Sequence, residues 1–327
     1  MKPDIIGVIE AAYSIDKSAD AWLRGLLASA PPLIDKTMGM IAFTYDASDP
    51  GNFRILTFAH NGLTNAFAEH YTANIRRVDA NYIRQTFCSL ACGTAIESPG
   101  WYSVPYLEPA ARLFGIADAL SINGVNPDGH GCVITGLFSE RAPLTCRRRD
   151  MLSKLACHIA AAYRLRRRLA SVETTREHPC AIIDRNGKLC HAEGGARTTA
   201  AVAQLRESVA ALAHARGPLR SRNPERAVEQ WKALTSARWS LLDTYESDGR
   251  RYVVAWKNEH RTKATKSLTL RERQVVALAA TGQHNKLIAY NLGVSHSTVR
   301  VLMARAATKL CAGSRADLLR QLEKLED

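Results

Sequence analysis

Helix-start and helix-stop signals near the C-terminus constrain the fold of this chain more than any other feature of its 327 residues. Thr269 and Glu272 have the spacing of a capping box, which starts a helix, and apolar residues follow at helical intervals. A second helix starts at Asn285 and ends at Gly293. The next helix begins almost at once, at Ser297, so two helices must meet at a sharp angle. The pattern predicts a helix-turn-helix.

In such a pair the second helix enters the DNA major groove, with its first residues near the base edges. Here that helix spans residues 297–309, and its predicted buried stripe consists of Val299, Leu302, Ala306 and Leu310. Arg300 would offer two donors to a guanine, and Val301 would lie against a thymine methyl group. The residues predicted to contact DNA, through bases or phosphates, are Lys286, Ser295, Ser297, Thr298, Arg300, Val301, Ala304, Arg305 and Lys309.

Positive charge is concentrated in the same segment. From residue 261 to the end, 12 lysines and arginines stand against 5 acidic residues, a local net charge of +7 within a total of +13. Phosphate contacts require a cationic footprint of this kind. The charge therefore favours DNA binding over a pure protein-interaction module, which stays open as an alternative.

The segment also carries a set of motifs in a fixed order. They are Leu268-Thr-x-Arg-Glu-Arg, Asn285-Lys-x-Ile-Ala, Leu292-Gly-Val-Ser, Thr298-Val-Arg and Lys309-Leu. These motifs resemble the DNA-binding domain of LuxR-type bacterial transcription regulators, which implies a four-helix domain that binds double-stranded DNA. Leu302 stands where family members commonly carry His, and Cys311 replaces a frequent Gly. Ala304 stands where some members carry a base-contacting Lys, which leaves the target sequence open.

The first 170 residues are predicted to form an α+β sensor domain. Two N-terminal helices are followed by a hairpin, mid-chain helices, a second hairpin and a long helix over residues 146–169. The mid-chain helices are predicted over residues 65–75 and 80–91. This order indicates an antiparallel sheet and resembles GAF or PAS-type sensor domains, which bind small molecules between the sheet and the connecting helices. The long helix either covers the sheet or pairs with a second copy of the chain.

Residues 171–260 are predicted to form a second, smaller PAS-like α+β domain after a polar linker at 171–179. Two hairpins enclose two helices, predicted over 198–215 and 224–235. The order repeats that of the first domain in miniature. The domains predicted from sequence are therefore 1–170, 171–260 and 261–327.

One branch of the LuxR-type regulators binds acyl-homoserine lactones and carries a Trp-Tyr-Asp-Trp signature. Phe67, Tyr71 and Asp79 match part of that signature, but the first Trp is missing and the Tyr-to-Asp spacing differs. The residues therefore do not predict this ligand.

Cys88 and Cys92 carry a different alternative, a redox- or metal-responsive sensor. They are four residues apart on a predicted helix, so their side chains would share a face and could form a disulfide or bind a metal. In the other interpretation they are small core residues. The eight cysteines include no Cys-x-x-Cys pair, so neither a disulfide framework nor a zinc ribbon is predicted.

Enzyme motifs are incomplete throughout the sequence. His191-Ala-Glu193 lacks the Pro-Cys-x-x-Cys half of a zinc deaminase site, and no phosphate-binding glycine loop or nucleophile elbow occurs. We therefore expect no catalytic residue, no cofactor and no resident metal. The sequence also has no signal peptide and no apolar run of about 18 residues, so a soluble, cytoplasmic protein without a membrane partner is expected.

Together these patterns predict a dimeric DNA-binding transcription regulator controlled by an unidentified signal at its N-terminal domains. Ser314 would cap the last helix, and the leucines predicted to form a dimer contact on it are Leu318, Leu319, Leu322 and Leu325. Their alternative role is packing onto the recognition helix. The expected partners are double-stranded DNA and a second copy of the chain, and RNA polymerase and a small-molecule ligand are open ones.

Overall fold

The computed structural model describes residues 4–34, 37–75, 77–89, 91–97, 112–142, 144–172, 180–184, 186–235, 239–247, 250–257, 268–310, 312 and 314–326. The chain divides into two compact units, Met1–Arg164 and Leu165–Asp327. Division into three domains remains a prediction. Among the helices that the structure describes, none is both long and apolar enough to cross a membrane.

The first unit is an antiparallel sheet with helices. Its helices are α1 (Ile5–Ala12), α2 (Ala19–Ser29), α3 (Asn65–Ile75), α4 (Ala80–Thr86) and the start of α5 (Cys146–Val172). Its strands are β1 (Gly39–Asp46), β2 (Arg54–Asn61), β3 (Ala91–Thr94), β4 (Asp118–Val125) and β5 (His130–Phe138). They pair antiparallel in the order β2-β1-β5-β4-β3. The predicted α+β class with an antiparallel sheet is confirmed.

Strand β4 shows what covers the two faces of this sheet, because successive side chains of a strand point to opposite faces. Gly124 faces α5, and a Cβ atom there would lie 2.7 Å from the carbonyl oxygen of Ala156. Glycine is therefore what allows the helix to pack so closely. Ala119, Ser121 and Asn123 lie on the other face and line a cavity together with residues of α3 and α4.

The apolar face predicted for α5 is present. Leu152, Leu155 and Ile159 are buried in the first unit. Near the end of this unit, the ring of Tyr163 stacks on that of Trp22 in α2, with the ring centroids 6.0 Å apart. These contacts fit the interpretation in which the long helix covers the sheet.

The helix predicted over residues 80–91 is wrong in its second half. Helix α4 ends at Thr86, and Ala91–Thr94 form strand β3. This strand has only four residues and pairs with β4, where Cys92 lies opposite Ile122. Its partner is about 30 residues away in sequence, so the short segment has no local signal that distinguishes it from the end of a helix.

The second unit begins with the remainder of α5 and a second antiparallel sheet. The strands are β6 (Ala181–Asp184), β7 (Leu189–Ala192), β8 (Trp239–Ser247) and β9 (Arg250–Lys257), in the order β7-β6-β9-β8. Helices α6 (Thr199–Arg216), α7 (Leu219–Arg222) and α8 (Pro224–Thr235) lie between them in sequence. Both predicted hairpins are confirmed. Of the predicted linker, residues 171 and 172 belong to α5, and 173–179 lie outside the described residues.

Four helices complete the second unit, as the sequence predicts. They are α9 (Leu270–Ala280), α10 (Asn285–Leu292), α11 (His296–Lys309) and α12 (Arg315–Glu326). Their shared apolar core includes Val275, Leu278, Ile288, Leu292, Val299, Met303, Ala306, Leu318 and Leu322. This core fixes which side of α11 remains exposed.

Candidate nucleic-acid interface

Local capping contacts set the starts and ends of these helices. The hydroxyl of Thr269 accepts the amide of Glu272 at 3.3 Å, and the amide of Thr269 donates to the carboxylate of Glu272 at 2.7 Å, so the predicted capping box is confirmed. Gly293 ends α10 with φ of 63°, a left-handed conformation that favours glycine. Ser295 then caps α11 by accepting the amide of Thr298 at 3.0 Å. These contacts produce the sharp turn between α10 and α11.

The buried stripe of α11 differs from the predicted one at one position. Val299, Met303 and Ala306 are buried, whereas Leu302 is only partly buried against the same core. The prediction therefore omitted Met303, whereas Leu302 and Leu310 do pack against the core, partly buried. Spacings of three and four both suit one helix face, and the flexible Met303 side chain fills the space that the neighbouring helices leave.

The opposite side of α11 carries most of the residues predicted to contact DNA. Exposed on it or at its N-terminus are Ser295, Ser297, Thr298, Arg300, Val301, Ala304 and Arg305. Val301 is 48% exposed, which is unusual for a large apolar side chain in the second unit. Lys286 is exposed on the first turn of α10. Sequence reasoning overlooked His296, which is exposed at the first position of α11.

Three hydroxyl groups cluster at the N-terminus of α11. The Oγ atom of Ser295 lies 2.7 Å from that of Ser297 and 2.8 Å from Oγ1 of Thr298. A helix N-terminus carries partial positive charge, and exposed hydroxyls there can donate to an anion. The arrangement is chemically suited to a phosphate group, although Ser295 also serves as the cap.

Lys309 has an intramolecular partner that the sequence analysis did not foresee. Its Nζ atom lies 2.7 Å from Oε2 of Glu272, which is 2% exposed. The ammonium group of Lys309 and the amide of Thr269 lower the pKa of the Glu272 carboxyl to about 2. This ion pair joins the start of α9 to the end of α11. The cation is therefore already engaged within the domain.

Arg315 forms a second link that no sequence pattern indicated. Its guanidinium donates to the carbonyl oxygen of Gln283 and, at 2.9 Å, to the side-chain oxygen of Asn285. The first residue of α12 is thereby tied to the turn between α9 and α10. The predicted cap of α12 by Ser314 is confirmed, with the amide of Asp317 donating at 3.1 Å.

The leucines predicted to form a dimer contact differ in how deeply they are buried. Leu318 is 1% exposed and Leu322 is 6% exposed, and both belong to the domain's own core. Leu319 is partly buried against that core, and the side chain of Leu325 lies outside the described residues. The alternative role, packing within the domain, thus accounts for Leu318 and Leu322, because burying them stabilises the four-helix unit itself. A dimer through this helix stays a prediction.

Helix α10 also contacts helix α8 within the second unit. The hydroxyl of Tyr290 donates to the carbonyl oxygen of Val228 in α8 at 2.8 Å, and Tyr290 is 5% exposed. The ring occupies the side of α10 that does not face the four-helix core. Tyr290 therefore links the helix-turn-helix to α8.

Replacing Tyr290 with Phe is expected to lower the free energy of unfolding of the second unit by about 0.5–1.5 kcal/mol, because one buried hydrogen bond is lost while the ring is kept. Hydrogen exchange of the amides in α8 and α10 should speed up, and chemical denaturation should give the size of the loss. Unchanged exchange in both helices would contradict a stabilising contact.

The basis of the cysteine alternative does not hold in the structure. Cys88 follows the end of α4 and Cys92 lies in β3, so the predicted shared helix face is wrong. Burial raises the pKa of Cys92 to about 12 and also raises that of Cys88. Both groups therefore favour the thiol over the reactive thiolate. Among the described residues, no three His, Cys, Asp or Glu side chains come together as metal ligands.

The residues that match part of the acyl-homoserine lactone signature have different roles in the structure. Tyr71 lines the cavity of the first unit, and Phe67 stacks beside it with the ring centroids 6.0 Å apart. Asp79 caps α4 instead, accepting the amides of Asn81 and Tyr82. Its carboxylate is thus used for helix capping.

Two helices meeting across a glycine turn, with a polar and cationic outer face on the second, define a DNA-binding helix-turn-helix domain. Residues 266–322 match the family of bacterial regulatory proteins described as the luxR family. The C-terminal segment is a luxR-family helix-turn-helix domain, which confirms the resemblance seen in the sequence. The non-enzymatic character of the whole chain remains an expectation, because the match covers only this segment.

A curated relative matches in the same region. The transcriptional regulatory protein FixJ of Azorhizobium caulinodans is 45% identical over 58 residues, which make up 18% of this chain and 28% of FixJ. The chain therefore spans little more than a quarter of the length of that relative.

The likeness to solved structures is weaker. The N-acylhomoserine lactone-dependent LuxR-family factor CepR2 of Burkholderia cenocepacia is 15% identical with a TM-score of 0.36, covering 51% of this chain and 97% of that one. SdiA of Escherichia coli is 11% identical with a TM-score of 0.29, covering 95% of this chain and 93% of that one. Likenesses this weak carry no argument about the function of the present chain.

Proposed function

We propose that the protein is a transcription regulator that reads double-stranded DNA in the major groove with α11. The observation that carries this proposal is the exposure of Arg300, Val301, Ala304 and Arg305 on the side of α11 away from its buried stripe. A recognition helix needs this division, because one side must pack on the domain while the other reaches the base edges.

The exposed residues suit two kinds of contact. Arg300 offers two donors to guanine O6 and N7, Val301 packs against a thymine methyl, and Ala304 permits close approach. Lys286 and the hydroxyl cluster at the start of α11 serve phosphates, which fix the register without reading sequence. Lys309 is held by Glu272 and is not among the phosphate contacts that we propose.

We further propose that the regulator acts as a dimer. Two copies of α11 would then enter successive major grooves about 34 Å apart and select a roughly palindromic site. Because Leu318 and Leu322 are buried in the domain core, a contact through α12 would use Leu319 and the polar residues beside it.

The first unit is the proposed sensor, with a GAF- or PAS-like organisation. Support comes from its antiparallel sheet and from the cavity between that sheet and α3 and α4. The smaller sheet domain, which we propose to be PAS-like, is joined to α10 through Tyr290 and is placed to relay a signal. The proposed setting is the cytoplasm, where promoter DNA and RNA polymerase are accessible.

The full chain is expected to bind DNA with an affinity that falls steeply as salt rises, because phosphate contacts release counterions. Lys286→Ala should reduce the slope of log K against log salt by about 1 without changing sequence preference. Binding sites selected from a random duplex pool and titrated between low and moderate salt provide the measurement.

The matched control is Lys17→Ala, an exposed lysine in the first unit, which should leave the slope unchanged. Binding that does not respond to salt, or no DNA binding at all, would favour a protein-interaction module instead.

A further inference from the structure

The cavity of the first unit is small. Its volume is about 100 Å³, and it lies between the sheet and the helices α3 and α4. A cavity of roughly 150 Å³ in another protein accommodates benzene. The volume of the present cavity therefore suits a guest of about one five- or six-membered ring.

The described lining of the cavity contains no charged side chain. It consists of Ile41, Tyr71, Tyr82, Gln85, Thr86, Phe87, Gly93, Thr94, Ala95, Ala119, Ser121, Asn123, Val133, Thr135 and Leu137. Burial raises the pKa of Tyr82 to about 12 and raises that of Tyr71 further, so both phenols stay neutral. An ion entering this space would lose its hydration without gaining a partner of opposite charge from the described lining, which is unfavourable.

Two facing hydroxyl groups supply hydrogen-bonding capacity on the sheet side of the cavity. Ser121 of β4 and Thr135 of β5 lie directly opposite each other, and their hydroxyl oxygens are 2.9 Å apart. Their mutual bond uses one donor and one acceptor, so one hydroxyl proton and several lone pairs remain. The nearby amide of Asn123 is committed elsewhere, since its oxygen accepts from Tyr45 and its nitrogen donates to main-chain carbonyls.

The opposite wall contains three aromatic rings, together with Gln85 and Thr86. Tyr71 of α3, Tyr82 of α4 and Phe87 face the hydroxyl pair across the cavity. Their rings supply apolar surface for a compact body. A guest of this cavity therefore needs one polar edge and one apolar face.

We propose that this cavity binds an uncharged molecule no larger than a single ring, which hydrogen-bonds to Ser121 and Thr135 through a carbonyl, amide or hydroxyl group. The uncharged described lining disfavours an ion, and the small volume disfavours a long-chain acyl lactone. The assignment rests on the sensor role proposed for the first unit and names the chemical class of its signal.

The test uses the full chain without DNA and three probes in ligand-observed NMR titrations. 2-Pyrrolidone is a neutral ring amide, pyrrolidinium has the same ring with a positive charge, and N-octanoyl homoserine lactone carries a long chain. Saturable binding of 2-pyrrolidone alone is expected. No saturable binding of 2-pyrrolidone, or equally tight binding of either other probe, would overturn the proposal.

Removing both hydroxyls with Ser121→Ala and Thr135→Val should weaken 2-pyrrolidone binding about tenfold, the effect of roughly one net hydrogen bond. The control Ser221→Ala alters an exposed hydroxyl outside the cavity and should leave binding unchanged. If the double variant does not fold, Ser121→Ala alone is measured, with a loss of a few-fold expected. Unchanged affinity in the folded variant overturns the assignment.

DNA binding by the same samples is measured separately. Failure of the proposed ligand class is thereby distinguishable from failure of the proposed regulator function.

Discussion

Replacing Arg300 with Ala is expected to remove about 1–3 kcal/mol of discrimination at one base pair of the binding site. Arg300 is exposed on α11, whereas its neighbour Val299 is buried, so Arg300 lies on the side of α11 that we propose to face the groove. Its planar guanidinium can donate two parallel hydrogen bonds to guanine, which no other base accepts in the same way. Gel-shift titrations against a series of single-base variants of the selected site measure the change.

Two further variants separate base reading from charge. Arg300→Lys keeps the positive charge but not the two-pronged geometry, so it should bind random DNA nearly as well as the native protein while discriminating less. Arg222→Ala removes an exposed arginine of α7, outside the helix-turn-helix, and should change neither quantity. If discrimination at every base pair survives Arg300→Ala, the guanine contact is assigned to the wrong residue.

Replacing Lys309 with Met is expected to lower the free energy of unfolding by about 1–3 kcal/mol, because the nearly buried carboxylate of Glu272 loses its ionic partner. Lys309→Arg retains a cation and should lose less. Glu272→Gln retains a capping-box residue and removes the charge, so it should also be milder. Chemical denaturation of the three variants provides the comparison, and equal stability of the Met and Arg variants would contradict the role of the ion pair.

The same contact predicts a dependence on pH. The folded-state pKa of Glu272 is lowered to about 2, whereas an unperturbed Glu titrates near about 4.3. The ionised carboxylate therefore contributes stability that is fully present above the unfolded pKa and is lost as pH falls through the folded one. Between those two values the native protein should lose stability more steeply than Glu272→Gln. Parallel unfolding curves across this range would show that the group does not titrate as assigned.

Local signals predicted the helix-turn-helix because the residues at each helix boundary determine where that helix starts or ends. Thr269 and Glu272 start α9 through hydrogen bonds within one turn, and Gly293 adopts a conformation that other residues avoid. Such contacts need no partner from elsewhere in the chain. The exposed face of α11 followed from the same local periodicity. On the buried face, Met303 is the residue that the periodicity did not predict.

Features that depend on distant residues were not predictable in this way. Strand β3 exists because it pairs with β4, and the position of Cys92 follows from that pairing rather than from a helix. Burial of Leu318 and Leu322 depends on how α12 packs on the other three helices. A leucine stripe has the same spacing whether it packs within its own domain or against a second copy of the chain, so the spacing does not distinguish the two.

The sequence by itself determined the α+β character of the first unit, the four C-terminal helices and the cationic outer face of α11, since these follow from periodicity, capping and charge along the chain. Only the tertiary structure decided that Glu272 holds Lys309, that Tyr290 contacts Val228, and that a cavity whose described lining has no charged side chain lies beside α3 and α4. Each of these brings together residues that are far apart in sequence. Their contact is set by how whole elements pack, and no local pattern encodes that packing.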